Sequence, residues 1–390
     1  MPNLWKLYAI RFFYNLIPAY VIERLFWEER GMTIPMVVMT EILFAVTIVL
    51  LEVPTGIIAD KWGRKRMIVL SACLGCLEFL ILIFSTEFWH FALVVFLAAI
   101  GSSAASGAEN ALLYDSLLQD KSEARFEKYL GRLNAVDIVS TMLAALSGSL
   151  LAGKFGFEFN YWLSFGSMIV ASVLTLLLKE PKLQAADEEE QAIPLRTYWT
   201  ESIRFFRLNP SVYVVMMAGM AIGAAITYVD EFWQLYLERV HIPVAAFGLF
   251  SAGLFVIRLP GNLLAYKLKD RLSLRTIIVT VTLLSAAGYA YAAWAKDISG
   301  IAALFLVCLI AGIVEPLASG YLHHRIDSAM RATIDSFQSL LLNAALIVVG
   351  AGFGYFASKL DLVGGFAFLA AFCLAFAVYF VRSSNLEKAV

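Results

Sequence analysis

Apolar runs of bilayer length recur along this 390-residue chain, and they decide what it can fold into. A bilayer core takes about 20 apolar residues per helix. By that measure the sequence predicts twelve spans, at about 5–26, 33–58, 67–86, 89–115, 133–153, 159–178, 211–236, 245–266, 273–295, 299–321, 334–357 and 362–382. Strand-like alternation is absent over most of these runs, which disfavours a barrel. Composition agrees. Hydrophobic residues make up 61% and charged residues 16%, against roughly one half and one quarter in a soluble domain. So few charges cannot cover a soluble surface, and the expectation is an all-α integral membrane protein. The cysteines, Cys73, Cys76, Cys308 and Cys373, all lie inside apolar runs and read as small buried hydrophobes. Neither a metal site nor a disulfide framework is indicated. A formal net charge of -1 offers no bulk attraction to nucleic acid.

The near-zero net charge conceals a spatial bias. With the N-terminus inside, 22 of the 30 Lys and Arg residues are assigned to the cytoplasmic side, 6 to the outside, and Arg11 and Arg258 lie deeper within spans. Positive loops stay cytoplasmic, so the bias supports an even helix count, with both termini on the cytoplasmic side of the inner membrane. The longest internal polar stretch, Lys179 to Asn209, contains the acidic run Asp187 to Glu190 and an amphipathic segment from Thr197 to Arg207. The acidic run reads as a solvated linker and the amphipathic segment as a helix on the inner membrane surface. This stretch predicts a six-helix half over 1–180, a linker over 181–209 and a second six-helix half over 210–390.

The halves also resemble one another. Val53-Pro-Thr-Gly-Ile-Ile-Ala-Asp-Lys61 aligns with Leu259-Pro-Gly-Asn-Leu-Leu-Ala-Tyr-Lys267 at an offset of 206. The same offset places Glu109 on Glu315 and Glu52 on Arg258, where a charge is kept and its sign reversed. Agreement in two helix pairs without a gap favours duplication over chance. Parallel duplicated halves with a site between them are a transporter architecture.

The loop after the second span reads Gly56-Ile-Ile-Ala-Asp60-Lys-Trp-Gly63-Arg64-Lys65-Arg66. It resembles the G-x-x-x-D-x-x-G-R-[KR]-[KR] signature of the major facilitator superfamily. Glu52-Val-Pro-Thr and Ser106-Gly-Ala-Glu-Asn-Ala-Leu-Leu-Tyr-Asp115 are also similar to bacterial members, of the multidrug and metabolite efflux kind. The chain departs from many drug–proton antiporters, having no arginine in the middle of the fourth span and no proline in Gly148-Ser-Leu-Leu-Ala-Gly153. Each motif residue has a physical reading. Gly56 permits close helix approach, and Gly63 permits a positive-φ turn. Arg64 anchors the loop at the inner leaflet. Asp60 accepts hydrogen bonds from a helix N-terminus. The resemblance implies that Asp60 latches the halves in one state, with Glu52 and Asp115 near it in depth at an inner gate.

The resemblance also implies that the first, fourth, seventh and tenth spans line a cavity. A charge at the bilayer centre costs about 2.5–3.5 kcal/mol or more, so each one needs a partner or a purpose. Arg11 and Glu109 lie at matched depth, as a structural bridge or as a substrate or proton site, with Asn15 one turn above Arg11. Glu315, with no obvious cation on its own helix, is the first choice for a protonatable carboxylate. Asp137 and Arg258 belong to helices expected to meet across the halves, as a gate or a static bridge. Near the outer face, Glu23, Asp230 and Glu231, the last two among aromatics, suit a cationic amphiphile or simply the water interface. Glu78 in the third span has no assigned purpose.

A secondary transporter alternating access between two halves, and exporting a small, partly hydrophobic compound against protons, is the leading expectation. It would act as a monomer in the bilayer, with protons as coupling ion and no other cofactor. Proton symport, facilitated uptake of a nutrient, or a non-transporting receptor are the alternatives. No G-x-x-x-x-G-K-[ST] loop is present, which disfavours ATP-driven pumping, and an enzyme is not expected.

Overall fold

A computed structural model describes residues 3–122, 125–181, 204–295, 297–323 and 331–382. Among the described residues the chain is helical, without strands. The helices are α1 (Leu4–Asn15), α2 (Glu23–Glu29), α3 (Ile34–Trp62), α4 (Arg64–Phe84), α5 (Phe88–Gln119), α6 (Phe126–Phe155) and α7 (Phe157–Leu176). Then follow α8 (Pro210–Arg239), α9 (Phe247–Lys269), α10 (Leu274–Ala295), α11 (Ile298–Ala311), α12 (Val314–His323) and α13 (Arg331–Arg382). Ten helical segments among the described residues are long and apolar enough to cross a membrane. One of these, Leu341–Arg382, is 42 residues long and leaves helical geometry at Leu360 and Asp361, so it makes two crossings. The first crossing is shared by α1, a 3-10 turn at Pro18–Ile22 and α2, each too short alone. Together these account for the twelve expected crossings.

Two spans expected to be continuous are broken, and a proline explains each break. Pro18 has no N–H to donate, and the chain leaves α1 through Ile17 at φ -117, ψ 88. Pro316 sits in the first turn of α12, where a proline is tolerated, so the helix ends before it and restarts. The opposite economy occurs at Gly63 and Gly156. Each is the single residue between two helices, with φ +106 and +85, a left-handed region that a residue with a Cβ enters at a cost.

The chain divides into two compact units, Met1–Glu189 with Ile242–Ala252, and Glu190–His241 with Gly253–Val390. In unit 1, α4 packs on α5 and α7, and α1 on α6 and α7. Its core gathers Leu7, Ile10, Met67, Ala108, Leu112 and Leu133. The segment Ile242–Ala252 belongs to this unit because Gly248 lies directly on α6. A Cβ there would stand 2.4 Å from the Ala145 carbonyl oxygen. In unit 2, α10 packs on α13 and α11, over a core that includes Val215, Met216, Ile278, Tyr321 and Phe380. Large apolar side chains remain exposed on many helices, among them Trp89, Leu150 and Leu263. Lipid tails cover such faces, since between lipid and protein there is no apolar burial to gain.

The linker expectation falls largely on residues 182–203, outside the described residues; 204–208 are helical. Cys308 and Cys373 are buried as expected, but Cys73 is exposed on α4.

Candidate functional site

The densest charge cluster lies inside unit 1, where α1, α5 and α6 converge. Arg11 Nη1 donates to Glu109 Oε2 at 2.8 Å, and Arg11 Nη2 lies 2.9 Å from Asp137 Oδ2. Asn15 Nδ2 donates to Asp137 Oδ1 at 2.9 Å and to the Arg11 carbonyl at 2.9 Å. One helical turn separates Arg11 from Asn15, so both reach Asp137. One guanidinium therefore serves two carboxylates, and the fully ionised cluster carries an excess negative charge. Each of the three charged side chains keeps only about a quarter of its surface open, at 26%, 21% and 23% for Arg11, Glu109 and Asp137.

Asp137 and Arg258 each have an ionic partner within their own unit. Asp137 is held by Arg11, and Arg258 is held by Asp230 within unit 2. The rotation of α6 turns Asp137 toward α1. Arg258 also reaches Cys308 Sγ at 3.7 Å, while its Nε is enclosed without a hydrogen-bond partner. It lines a cavity of about 400 Å³ in unit 2, with Gly223, Thr227, Gly312, Gln338 and Leu342 among the other walls. The aromatics near Asp230 and Glu231 do not form an open cage. Tyr228 and Phe232 stack on Phe353 with ring centres 5.0 Å away, and Tyr228 donates to the Leu346 carbonyl.

At the basic end of unit 1, Arg64 pairs with Asp115 and donates to the Ala111 carbonyl at 3.1 Å. It thus joins the start of α4 to α5, beyond any anchoring at lipid. The N-terminus of α4 is capped by Glu180, which accepts from Arg64 N and Lys65 N at 2.9 Å each. A carboxylate there is favoured by the partial positive charge of a helix start. Sequence reasoning missed Glu180, which lies four residues past α7. The helix-end reading for Gly63 stands beside its φ of +106, and a Cβ on it would lie 3.2 Å from the Glu180 carboxylate. Gly56 is exposed with nothing within 4 Å of a Cβ position, so it mediates no close approach among the described residues.

Glu23 lies 3.9 Å from Arg24 Nη1, while Arg24 Nη2 donates to Glu41 at 2.7 Å and its guanidinium stacks 4.6 Å over Trp27. Glu52 and Glu231 are half-buried in α3 and α8. The side chains of Asp60 and Glu315 lie outside the described residues, although both positions are helical. The duplicated segments keep equivalent environments. Ala59 and Ala265 are both buried, Lys61 and Lys267 are both exposed, and Pro54 and Pro260 both lie within helices.

Twelve crossings with paired charges inside the spans suit a membrane transporter. The family model described as Major Facilitator Superfamily matches residues 7–238, and the chain belongs to that superfamily. It is similar to the tetracycline resistance protein, class H, of Pasteurella multocida, with 24% identity over 343 residues, 86% of this chain and 80% of that one. It is 28% identical over 136 residues to an uncharacterized transporter of Buchnera aphidicola, a match spanning 35% of this chain and 32% of that protein. A solved structure of the nucleoside transporter NupG has the same fold, with TM-score 0.75, 15% identity and 98% of each chain covered. The protein is therefore a multi-pass membrane transporter and not an enzyme.

Proposed function

We propose that the protein exports a small, partly apolar organic compound in exchange for protons, alternating access between its two halves. The observation that carries this reading is the sharing of Arg11 between Glu109 and Asp137. Two carboxylates on one cation leave one negative charge over, and a proton cancels it at low cost in a medium where net charge is expensive. Protonation of either carboxylate changes which one Arg11 holds. The links among α1, α5 and α6 then differ between the protonated and the ionised state, and such a two-state contact lets a proton gradient bias a conformational equilibrium. The unit 2 cavity supports a partly apolar substrate. Its walls are mainly apolar and glycine-bearing, with Thr227, Arg258 and Gln338 as polar groups to orient a guest. Export is favoured over uptake by the likeness to a tetracycline resistance protein. The bias of basic residues supports an inner-membrane protein with both termini cytoplasmic. We read it as a monomer, with the proton as coupling ion and no other cofactor.

Neutralising one carboxylate leaves Arg11 in a one-to-one pair with no spare negative charge. Glu109→Gln and Asp137→Asn are each expected to slow gradient-driven efflux of tetracycline or ethidium from cells at least tenfold. Folded protein levels should stay near wild type. Wild-type efflux from both variants would remove the cluster from the mechanism.

A further inference from the structure

Every Lys and Arg between residues 3 and 181 is described, so the cations of the unit 1 spans can be matched to several of their acids. Glu109 and Asp137 have Arg11, Asp115 has Arg64, and Glu41 has Arg24, which also lies 3.9 Å from Glu23. Glu78 has no cation among the described residues. It lies on α4, about 21 Å along the axis from Arg64 and about 9 Å from Phe84, at 1.5 Å per residue. That places it within the hydrocarbon region. It also follows the buried stripe Ser71, Gly75 and Leu82 at helical spacing, so it is turned toward the helices of its own unit. The ionisable groups around it are Tyr14 of α1, Tyr20 of the 3-10 turn, Glu23 of α2 and Tyr161 of α7. Three are phenols and the fourth is another carboxylate. None offsets a negative charge.

We propose that Glu78 is a second proton-binding site of unit 1, separate from the Arg11 cluster. The carboxylate takes up a proton to become a neutral acid inside the bundle. It gives that proton up when a change of state admits water beside it. Aromatic packing favours a proton over a larger cation as the guest. Tyr161 stacks on Phe26 with ring centres 3.9 Å apart, and Phe79 stands 6.4 Å from Tyr161 and 5.9 Å from Tyr20. Glu23, with 21% of its side chain open, is the neighbouring carboxylate through which a proton can arrive. The role of Glu78 in transport rests on the proton-coupled reading above; its binding of a proton does not.

Infrared titration of the purified protein in lipid, from acidic to alkaline buffer, reads the site directly. The wild type should show a protonated-carboxyl stretch that disappears on alkalinisation. Glu78→Gln should lose about one carboxyl of that signal, and Glu78→Asp should keep it. An identical signal in wild type and Glu78→Gln overturns the proposal. Melting temperature gives an independent check should the spectra of a variant be weak. Ionising an unpartnered carboxylate penalises only the folded state, so wild-type stability should fall as pH rises, and Glu78→Gln should lack that fall. Parallel profiles contradict the proposal. A titrating Glu78 in a protein whose flux ignores a pH gradient refutes the coupling reading and leaves this site standing. Gradient-driven flux with no titrating Glu78 does the reverse.

Discussion

Replacing Arg11 with Gln is expected to lower the melting temperature by about 10 °C and to abolish transport. The substitution removes the single cation that holds Glu109 at 2.8 Å and Asp137 at 2.9 Å. Breaking a buried ion pair by deleting one partner costs about 3–5 kcal/mol, because the remaining charge stays desolvated. Two carboxylates are stranded here, though each retains about a fifth to a quarter of its surface, which brings the figure to the lower end of that range. About 3 kcal/mol corresponds to roughly 6–12 °C for a cooperative unit of about 150–250 residues, the size range of unit 1. The companion variant separates stability from function. Arg11→Gln combined with Glu109→Gln and Asp137→Asn leaves no unpaired charge, so most of the lost melting temperature should return. Transport should not return, since no proton acceptor remains in the cluster. A triple variant that melts as low as Arg11→Gln would show that the guanidinium stabilises by packing. A transporting Arg11→Gln would remove the cluster from the mechanism.

Gly148→Val is expected to destabilise comparably, for a steric reason. Gly148 on α6 lies against the break in the first span. A Cβ there would stand 2.5 Å from the Pro18 carbonyl oxygen and 3.0 Å from Pro18 Cα. Both are backbone atoms, so the break itself must move. Overpacking of this kind costs about 1–3 kcal/mol. The damage spreads because the break is satisfied by polar side chains of α7. Buried Asn160 donates to the Pro18 carbonyl at 3.0 Å and to the Gly148 carbonyl at 2.8 Å. Ser164 accepts from Ala19 N at 3.0 Å, and Ser167 donates to the Phe13 carbonyl at 2.7 Å. In hydrocarbon there is no water to replace these bonds, and each unsatisfied group costs several kcal/mol. Thermal denaturation in detergent should show Gly148→Val melting about 10 °C below wild type. Asn160→Leu should be similar, and the double variant less than additive, because both act on the Pro18 carbonyl. A Gly148→Val protein melting within about 1 °C of wild type would show that the contact yields freely.

The fold was legible in the sequence because bilayer thickness sets the length of an apolar run. Twelve such runs and the loop Gly56 to Arg66 leave few alternatives. The breaks were only half legible. Pro18 and Pro316 were visible, but the side chains that compensate the first break lie some 140 residues away on α7. In the site, Arg11 and Glu109 were legible because they lie at equal depth on helices that meet. The contact of Asp137 with Arg11 was not legible, since a sequence carries little information on helix rotation. Glu180 was hidden because nothing local marks a carboxylate as the cap of a helix that starts over a hundred residues earlier. Gly56 illustrates the reverse error, a motif glycine read as a contact where a Cβ would meet nothing.

The central claim is that a proton gradient drives this protein through carboxylates set inside its unit 1 bundle. Purified wild type in proteoliposomes, loaded with tetracycline or ethidium and given an imposed pH gradient without a membrane potential, tests it most directly. Substrate should move against its own gradient, in the direction opposite to proton flow. That movement should collapse when an ionophore dissipates the pH difference, and Glu109→Gln liposomes should show none of it. Flux that is equal with and without the gradient, and unchanged in Glu109→Gln, would contradict the account.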